Sequence, residues 1–361
     1  MGDVQIGVSV VIPCYNSARL LPDTLYYLAH QDVPEHIRWE IIIVDNGSTD
    51  STVEVANMTW KNLNSHVPFR IGYQQVKGTT AAREKGFQSA LYEYVLFCDD
   101  DNWLHRDYIR IVYDIMKHNP NIGVAGGKGE GISDIQFPDW FNKYSKRFAI
   151  GPQGEETGDV TETRGWVYGA GFAVRRSAWM MLKNNGFQSL LTGRYGKGQD
   201  KELCFAIRLA GFRIWYDSRL TFKHFLTKDR FNWKNMLDLF EKQQYAVSVF
   251  SAYRYVLEQD DSEYIRPSRW VWMKKCLHVL RELLTRRMIK IMILSLYRDV
   301  EKELVGSAQI AKLRQKKGTI IGWLYIRTKF VELCDEINTV KYNVQKETQN
   351  GVFNFSTKNY N

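Results

Sequence analysis

Blocks of apolar residues recur along the first part of the chain with the lengths of strands and helices. Short runs rich in β-branched and aromatic residues predict buried strands, and they lie at 8–12, 40–44, 69–76, 94–98, 212–216 and 220–225. Segments with helical spacing of apolar residues separate them, at 20–28, 79–91, 105–117 and 199–209. Strands and helices that alternate in this way predict an α/β fold with a mostly parallel sheet flanked by helices.

The pattern changes near residue 228, where strand-like runs stop. Apolar residues then recur every three or four positions, at Met273, Leu277, Leu280, Leu284, Met288 and Ile291. This spacing predicts one apolar helical stripe, which we expect to pack on the first domain. We therefore divide the chain into an α/β domain, 1–228, and a helical, basic C-terminal region, 229–361, with a polar tail.

Charge is concentrated in the C-terminal region. The net charge is +9, but residues 266–330 carry 16 basic and 4 acidic side chains, a local excess of +12. Such a surface suits an anionic membrane or a phosphate-bearing acceptor, and Trp270, Trp272 and Trp323 beside it would fit a membrane interface. The alternative is a solvated basic face on an ordinary helical subdomain. No nucleic-acid recognition motif is present, so we expect no nucleic-acid partner.

The cysteines and the hydropathy of the chain indicate the cellular compartment in which the protein is expected. The five cysteines are widely separated and form no CxxC pair, which predicts reduced, buried thiols rather than disulfides or a zinc site. No run of about 18 apolar residues exists and the N-terminus lacks a signal-peptide pattern. We expect a cytoplasmic protein, with peripheral attachment to the inner face of the membrane as the open alternative.

Three consecutive aspartates give the strongest chemical signal. Asp99, Asp100 and Asp101 directly follow the apolar run 94–98. Carboxylates this close repel one another unless a cation neutralises them, and oxygen ligands suit Mg²⁺ or Mn²⁺, which in turn bind phosphates. The duller alternative is a solvated acidic turn. Asp45 and Asp99 both stand at carboxyl ends of predicted strands, where α/β sheets bind ligands.

Six segments in order resemble the family 2 glycosyltransferases, which have the GT-A fold. They are VSVVIPCYNSARLLPDTL at 8–25, EIIIVDNGSTDST at 40–52, GTTAAREKGFQSA at 78–90, YVLFCDDDN at 94–102, GAGFAVRRSAW at 169–179 and GQDKELCFAIRLAGF at 198–212. The resemblance ends before the C-terminal region. It implies a metal-dependent, inverting transfer of a sugar from a nucleotide-diphosphate sugar, usually a UDP sugar, to a hydroxyl of a glycan or lipid-linked acceptor.

The resemblance also implies roles for individual residues. Nucleotide contacts are implied for Pro13, Tyr15, Asn16, Asp45, Asn46, Ser48, Arg83, Asp99 and Asp100. Asp99 and Asp101 match the two ends of the family's DxD motif, and Asp101, Asp99 and His224 are implied as ligands of Mn²⁺ or Mg²⁺. Asp200 matches the catalytic base, and Trp166, Gly169 and Gly171 match the border of the acceptor site. Many relatives carry an acidic residue before the base, where this chain has Gln199, and Glu202 is a rival carboxylate.

Each role has a structural alternative. Asp200 could only cap its helix, His224 could be a strand histidine bound to a backbone carbonyl, and Arg83 could form a surface ion pair with Glu84 or Asp23. Trp166 and the glycines near it could belong to the core.

Two other functions stay open. A sugar nucleotidyltransferase also needs metal-binding carboxylates, but it usually has a glycine-rich loop after the first strand, where this chain has Pro13 to Ser17. A non-catalytic nucleotide-binding subunit of a glycan assembly complex is the other alternative. The process we expect is the assembly of a surface polysaccharide or glycolipid.

Overall fold

The computed structural model describes residues 5–191, 197–259, 264–285, 289 and 305–350. The strands are β1 (Gln5–Cys14), β2 (Trp39–Asp45), β3 (Phe69–Tyr73), β4 (Tyr92–Phe97), β5 (Asn102–Leu104), β6 (Ile122–Ile132), β7 (Gly158–Asp159), β8 (Ala173–Arg175) and β9 (Arg213–Phe225). The helices are α1 (Leu21–Ala29), α2 (Thr52–Leu63), α3 (Thr79–Ser89), α4 (Tyr108–His118), α5 (Phe141–Tyr144), α6 (Arg176–Asn184), α7 (Gln199–Leu209), α8 (Trp233–Tyr245), α9 (Val247–Leu257), α10 (Val271–Leu283), α11 (Ala308–Tyr325) and α12 (Phe330–Gln349).

One mixed sheet organises the first domain, with the strand order β3-β2-β1-β4-β8-β6-β9-β5 and β7 beside β9. The pairs β3/β2, β2/β1, β1/β4 and β6/β9 are parallel. Strand β8 runs antiparallel between β4 and β6, and the short strands β5 and β7 run antiparallel to β9. The predicted fold class, a mostly parallel α/β sheet with a helical C-terminal region, is confirmed.

Both faces of the central strands are buried, which explains why their sequences are continuously apolar. Val10 and Ile12 of β1 belong to one hydrophobic core with Ile41 of β2, whereas Val11 and Ile42 belong to the core on the opposite face. Successive side chains of a strand point to opposite faces, so a strand covered by helices on both sides needs apolar residues throughout.

The far half of the sheet differs from the sequence expectation. Residues 212–216 and 220–225, predicted as two strands, are parts of the single strand β9. The glycine-rich strand β6 was not foreseen. It needs glycine because its neighbours lie very close: a Cβ at Gly126 would lie 2.7 Å from Val167, and one at Gly127 would clash with the backbone of Leu220.

The described chain after β9 is helical. Strand β9 ends at Phe225 and α8 begins at Trp233, so the predicted boundary near residue 228 falls in the turn between them. Helix α11 packs closely against α8: a Cβ added at Gly322 would be only 2.5 Å from the carbonyl oxygen of Tyr245. Phe250, Trp323 and other residues of the C-terminal helices share a core with the sheet.

The apolar stripe of α10 faces solvent, so the expectation that it packs on the first domain is wrong. The buried face of α10 consists of Cys276, Val279 and Leu283. Met273, Leu277, Leu280 and Leu284 are exposed. Met288 and Ile291, which we expected to continue the stripe, lie outside the described residues. Trp323, expected at an interface, is only 2% exposed and belongs to the core.

Two expectations about compartment can be compared with the fold. All five cysteines are buried free thiols, as predicted. Among the residues that the structure describes, no helix is both long enough and apolar enough to span a bilayer.

Candidate functional site

A polar cavity of about 210 Å³ opens at the carboxyl end of the parallel strands. Cys14 of β1 lies opposite Asp45 of β2, and the three aspartates follow β4, which pairs with β1. The cavity is lined by Pro13, Cys14, Tyr15, Asn46, Thr79, Ala82, Asp99, Asp100, Asp101, His224 and Arg230. The sheet therefore brings together residues that are more than 200 positions apart in the sequence.

Polar residues of the first two loops fasten the loops to each other. The Asn16 side-chain oxygen accepts from the backbone N–H of Thr49 at 2.8 Å, and the Ser48 hydroxyl oxygen accepts from the N–H of Asn16 at 3.0 Å. The Asn46 side-chain oxygen accepts from the N–H of Gly78 at 2.7 Å. Asn16, Ser48 and Asn46 thus shape the rim of the cavity, and their contact with a nucleotide stays a prediction.

Two residues at the rim differ sharply in exposure. Asp45 is buried, and its Oδ1 lies 3.3 Å from the backbone nitrogen of Ser48. The ring of Tyr15 is 53% exposed, and the Lys77 ammonium group lies 5.6 Å from its centroid. An exposed tyrosine at the mouth of a polar cavity offers a flat face for an aromatic base.

The three adjacent aspartates share a partly enclosed space, and two of them, Asp99 and Asp100, have raised pKa values. Burial raises the pKa of Asp99, and the charge of Asp101 raises it further against the lowering effect of Arg83. Burial and the neighbouring Asp101 charge raise the pKa of Asp100 to about 6. Three such carboxylates favour the binding of a cation, which relieves their repulsion.

His224 and Arg230 stabilise the charged form of Asp101. Burial alone would raise its pKa, but His224 and Arg230 outweigh burial and the pKa of Asp101 lies below its ordinary value. Arg230 donates from Nη2 to Asp101 Oδ2 at 2.9 Å, and His224 Nε2 lies 3.4 Å from the same oxygen. Arg230 therefore occupies part of the space around the carboxylate that the resemblance assigns to a metal.

The hydrogen bond on the far side of His224 fixes its chemistry. His224 Nδ1 lies 2.6 Å from the carbonyl oxygen of Phe148, which can only accept, so Nδ1 carries a hydrogen. With a hydrogen also on Nε2 the ring is cationic and pairs with Asp101, 3.4 Å away, and without that hydrogen Nε2 offers a lone pair to a cation. This is the arrangement of a metal-binding histidine held by a backbone carbonyl, so the two interpretations of His224 are compatible.

Arg83 lies between the aspartates and Asp200. Its guanidinium carbon lies 5.6 Å from the ring centre of Phe97 and 5.2 Å from that of Phe172. A Cβ added at Gly169 would be 2.9 Å from Arg83 Nη2 and 2.7 Å from the Asp200 Cβ. Arg83 is thus an internal residue of the site, and a glycine at 169 is what leaves room for both side chains.

Asp200 stands in the first turn of α7, where the helix dipole favours a negative charge. Its Oδ2 accepts from the backbone N–H of Gly169 at 3.0 Å, and Gly198 is the N-cap residue of the helix. Capping therefore does not explain this carboxylate.

Glu202, the rival carboxylate, is occupied elsewhere. It is buried and accepts hydrogen bonds from the Ser189 hydroxyl, the Leu190 N–H and the Tyr253 hydroxyl. These bonds give it a structural role, so Asp200 remains the candidate base.

At the predicted border of the acceptor site, two basic side chains lie on the indole ring of Trp166. The Arg164 guanidinium carbon lies 3.9 Å and the Lys201 ammonium nitrogen 4.8 Å from the ring centre of Trp166. Gly171 has a φ of 67°, and its carbonyl accepts from the buried Tyr108 hydroxyl. Acceptor contacts of Trp166, Gly169 and Gly171 stay predictions.

Comparison with known proteins agrees with this geometry. Residues 9–180 match the family model described as Glycosyl transferase family 2. The matched segment contains the three aspartates, Arg83 and the Trp166–Gly171 stretch. This part of the chain is a family 2 glycosyltransferase domain. Asp200, His224 and Arg230 lie beyond the segment that the family model matches.

Curated relatives share only part of their length with this chain. Poly-beta-1,6-N-acetyl-D-glucosamine synthase of Staphylococcus epidermidis is 31% identical over 121 residues, 34% of this chain and 28% of that protein. Poly(ribitol-phosphate) beta-glucosyltransferase of Bacillus spizizenii is 32% identical over 131 residues, 36% of this chain and 20% of that protein. The matched segments thus span less than a third of either relative.

A solved structure supports the fold over most of the chain. The mannosyltransferase of Pyrobaculum calidifontis in complex with GDP-Man and Mn²⁺ aligns with a TM-score of 0.55 and 15% identity. The alignment covers 88% of this chain and 87% of that one. At this identity the likeness concerns the fold alone, and it is a GT-A fold.

The site presents a donor set that suits a divalent cation. Asp99 and Asp101 would supply oxygens and His224 would supply Nε2, which are ligands that Mn²⁺ or Mg²⁺ accepts. Within the described ranges no three His, Cys, Asp or Glu side chains are already arranged around a single metal position.

Arg230 was not foreseen from the sequence. It lies in the short 3₁₀ turn Lys228–Phe231 immediately after β9, outside the six recognised segments. The only available signal was a basic residue six positions after His224. A second cavity, of about 660 Å³, lies beside β5 and α1, but it is lined by none of the three aspartates.

The ion pair between Arg230 and Asp101 yields a test of the cation site. In the absence of nucleotide, Arg230→Gln is expected to raise the affinity for Mn²⁺ by about three- to tenfold, because the guanidinium no longer competes for Asp101. Electron paramagnetic resonance of free Mn²⁺ measures this directly. Arg219→Gln breaks another Arg–Asp pair, with Asp217 at 2.8 Å, and serves as the control. Unchanged or weaker Mn²⁺ binding by Arg230→Gln would contradict the competition.

Lys201 yields a prediction of pH dependence. Burial and the charge of Arg254 lower the pKa of Lys201 to about 8, below its value in an unfolded chain. The fold is therefore destabilised by the charged lysine below pH 8, and this penalty disappears as the pH rises towards 10.5. Lys201→Met is expected to stabilise the fold at pH 7 by about 1 kcal/mol, allowing for the partial exposure of the side chain. Thermal unfolding at pH 7 and pH 9.5 should show the advantage shrinking, and an advantage independent of pH would rule out this cause.

Proposed function

We propose that this protein is a glycosyltransferase that moves a sugar from a nucleoside diphosphate sugar, most simply a UDP sugar, to an acceptor hydroxyl. The observation that carries the proposal is the convergence of the Asp99–Asp101 cluster and Asp200 on Arg83, with the cluster and Arg83 inside a family 2 domain. The aspartate cluster suits a cation that binds a diphosphate, and Asp200 suits an acceptor hydroxyl. Neither alone would define a transferase.

We expect the donor to lie with its base towards Tyr15 and Asp45 and its diphosphate deeper in the cavity. Tyr15 offers its ring to the base, Asp45 lies at the base-proximal rim and Asp99 lies beside Arg83. The diphosphate then lies towards Asp101, His224 and Arg230. A divalent cation, Mn²⁺ or Mg²⁺, held by Asp101 with Asp99 and His224, would neutralise negative charge on the diphosphate.

The transfer step uses residues of this chain on either side of the anomeric carbon. Asp200 accepts the proton of the acceptor hydroxyl as that oxygen forms a bond to the anomeric carbon. The bond from the anomeric carbon to the diphosphate oxygen breaks on the opposite side. Arg230 lies on the diphosphate side and stabilises the charge of the leaving group. A single displacement of this kind inverts the anomeric configuration.

The family relatives support a role in surface polysaccharide or glycolipid assembly. The two relatives named above carry the names of a polysaccharide synthase and of a glucosyltransferase acting on poly(ribitol phosphate). We propose a glycan or lipid-linked molecule as the acceptor. A sugar nucleotidyltransferase and a non-catalytic subunit remain the alternatives that the experiment must separate.

Two aspartate variants separate donor binding from chemistry. With Mn²⁺ present, UDP is expected to raise the melting temperature of the wild type, and Asp101→Asn is expected to abolish that shift. Asp200→Asn should keep the shift but lower sugar transfer, or slow donor hydrolysis, by about a thousandfold, because only the proton acceptor is lost. Asp159→Asn, at the distant ion pair with Arg213, is the control.

Other outcomes would favour the alternatives. Binding of UDP without turnover on any donor and acceptor would favour the non-catalytic subunit. Release of pyrophosphate from UTP and a sugar phosphate would favour the nucleotidyltransferase. Equal turnover of Asp200→Asn and wild type would contradict the assignment of the base.

The exposed stripe of α10 supports contact with an anionic membrane. Trp270, Met273, Leu277, Leu280 and Leu284 are between 41% and 69% exposed and follow each other at intervals of three and four residues. A contiguous exposed apolar surface of this kind is uncommon on a protein that remains in water.

Basic residues accompany the stripe. On a helical projection Lys274 and Arg281 lie directly beside it, and both are exposed. An apolar stripe with flanking cations matches a helix that lies in the interface of an anionic bilayer. We propose that this helix holds the enzyme peripherally at the membrane where a lipid-linked acceptor would be found.

The membrane proposal is tested with vesicles. The wild type is expected to co-sediment with vesicles of phosphatidylglycerol and phosphatidylcholine, and Leu277→Glu combined with Leu280→Glu should weaken binding by about tenfold or more. Met58→Glu combined with Leu91→Glu changes exposed apolar residues elsewhere and is the matched control. Failure of the wild type to bind, or equal loss in the control, would contradict the proposal.

A further inference from the structure

Basic side chains gather beside Asp200 around shared aromatic rings. We call Arg147, Arg164, Lys201 and Arg254 the Lys201 cluster. Arg164 and Lys201 both lie on the indole of Trp166, with the guanidinium carbon at 3.9 Å and the ammonium nitrogen at 4.8 Å from its centroid. Two full positive charges thus share one ring, immediately next to the candidate base.

The other members are joined through neighbouring rings. Lys201 Nζ lies 4.6 Å from the ring centre of Phe250 and 5.9 Å from that of Phe205, and Arg254 lies 5.8 Å from Phe205. Arg164 also lies 4.8 Å from the ring centre of Tyr168. Arg147 is close enough to interact electrostatically with the same Tyr168. The cluster is therefore continuous.

The cluster lacks counter-ions. In the part of the chain that the structure describes, none of its members has a carboxylate within salt-bridge distance. Arg164 donates from Nε to the carbonyl of Trp166, and Arg147 donates to the side chain of Gln243. Asp200 is the nearby acid, and it already accepts from Gly169. The surplus of positive charge is also visible in the lowered pKa of Lys201, caused by burial and by Arg254.

A polar group without a partner lies within the same cluster of side chains. The hydroxyl of Tyr168, a buried residue, forms no hydrogen bond with any described residue. Buried polar atoms in folded proteins are normally paired, so an unpaired hydroxyl near cations that lack counter-ions points to a ligand that supplies the missing acceptor. Guanidinium and ammonium groups together with a hydroxyl are the donors that proteins use for phosphate.

We infer that the Lys201 cluster binds a phosphate group of the acceptor, next to the hydroxyl whose proton Asp200 accepts. The inference rests on the proposed glycosyltransferase function and specifies the chemistry of its acceptor. A phosphate bound by Lys201, Arg164 and Arg254 would lie near Asp200, because Asp200 accepts from the N–H of Gly169, three residues after the Trp166 ring that Lys201 and Arg164 share. Two acceptor types carry this chemistry: a polyol chain linked by phosphodiesters, and a sugar linked to a lipid through a diphosphate.

The first experiment measures phosphate binding apart from the donor site. With saturating UDP and Mg²⁺, calorimetry is expected to detect binding of glycerol 3-phosphate and none of glycerol. Arg164→Gln combined with Arg254→Gln should weaken that binding at least tenfold, as should Lys201→Gln, with melting temperatures reported for each. Arg38→Gln, an exposed arginine near the start of β2, is the control. Binding that these variants leave unchanged would overturn the inference.

The same experiment separates the inference from the proposed function. Asp101→Asn should impair UDP binding and leave the binding of glycerol 3-phosphate intact. If Asp101→Asn lost the binding of glycerol 3-phosphate while the cluster variants kept it, the probe would occupy the donor site and the inference would be overturned. If wild type bound glycerol 3-phosphate through the cluster but never bound UDP, the proposed function would fail.

A second arm distinguishes the two sources of phosphate. A short poly(glycerol phosphate) fragment and phosphatidylcholine vesicles containing a polyprenyl diphosphate sugar are compared with glycerol 3-phosphate. If either ligand binds about tenfold more tightly than glycerol 3-phosphate, and the Arg164→Gln, Arg254→Gln variant loses that gain, the result supports the inference and identifies the source of the phosphate. Binding of neither more tightly than glycerol 3-phosphate would contradict a role in acceptor recognition.

Discussion

Mutual repulsion among Asp99, Asp100 and Asp101 is the constraint on which the site is built. They follow a fully buried strand, so the backbone cannot move them apart, and burial raises the pKa of Asp99 and Asp100. Only Asp101 has its pKa lowered, by His224 and Arg230. Arg83 lowers the pKa of Asp99 but does not outweigh burial, so Asp99 and Asp100 keep raised pKa values and a bound cation would relieve the repulsion.

Arg83 connects this cluster to Asp200. It packs on two aromatic rings of the core, lies beside Gly169 and lowers the pKa of Asp99. A side chain at position 169 would displace it. The site is thus a continuous line of charges, from Arg230 through the aspartates and Arg83 to Asp200. A sugar held between nucleotide and acceptor would lie along that line.

The C-terminal helices complete the positive side of the site. Phe250 and Arg254 of α9 contribute to the surroundings of Lys201, and the same helices share a core with the sheet. The C-terminal region therefore contributes to the surroundings of Lys201 and, if the acceptor lies there as proposed, to the acceptor side of the site. The family model matches residues 9–180, so these contributions come from the part of the chain beyond that match.

The sequence by itself determined strands β1 to β4 and the polar character of the loops after β1, β2 and β4, because strands buried on both faces have continuously apolar sequences and their ends carry the polar residues. It could not place Arg230 on Asp101, distinguish Asp200 from Glu202, or reveal that β6 needs glycines for the approach of its neighbours. It also assigned the wrong face of α10 to the interior, since the spacing of Met273, Leu277 and Leu280 marks a stripe but not its partner. Those features depend on which distant segments meet, and that is decided by packing in three dimensions.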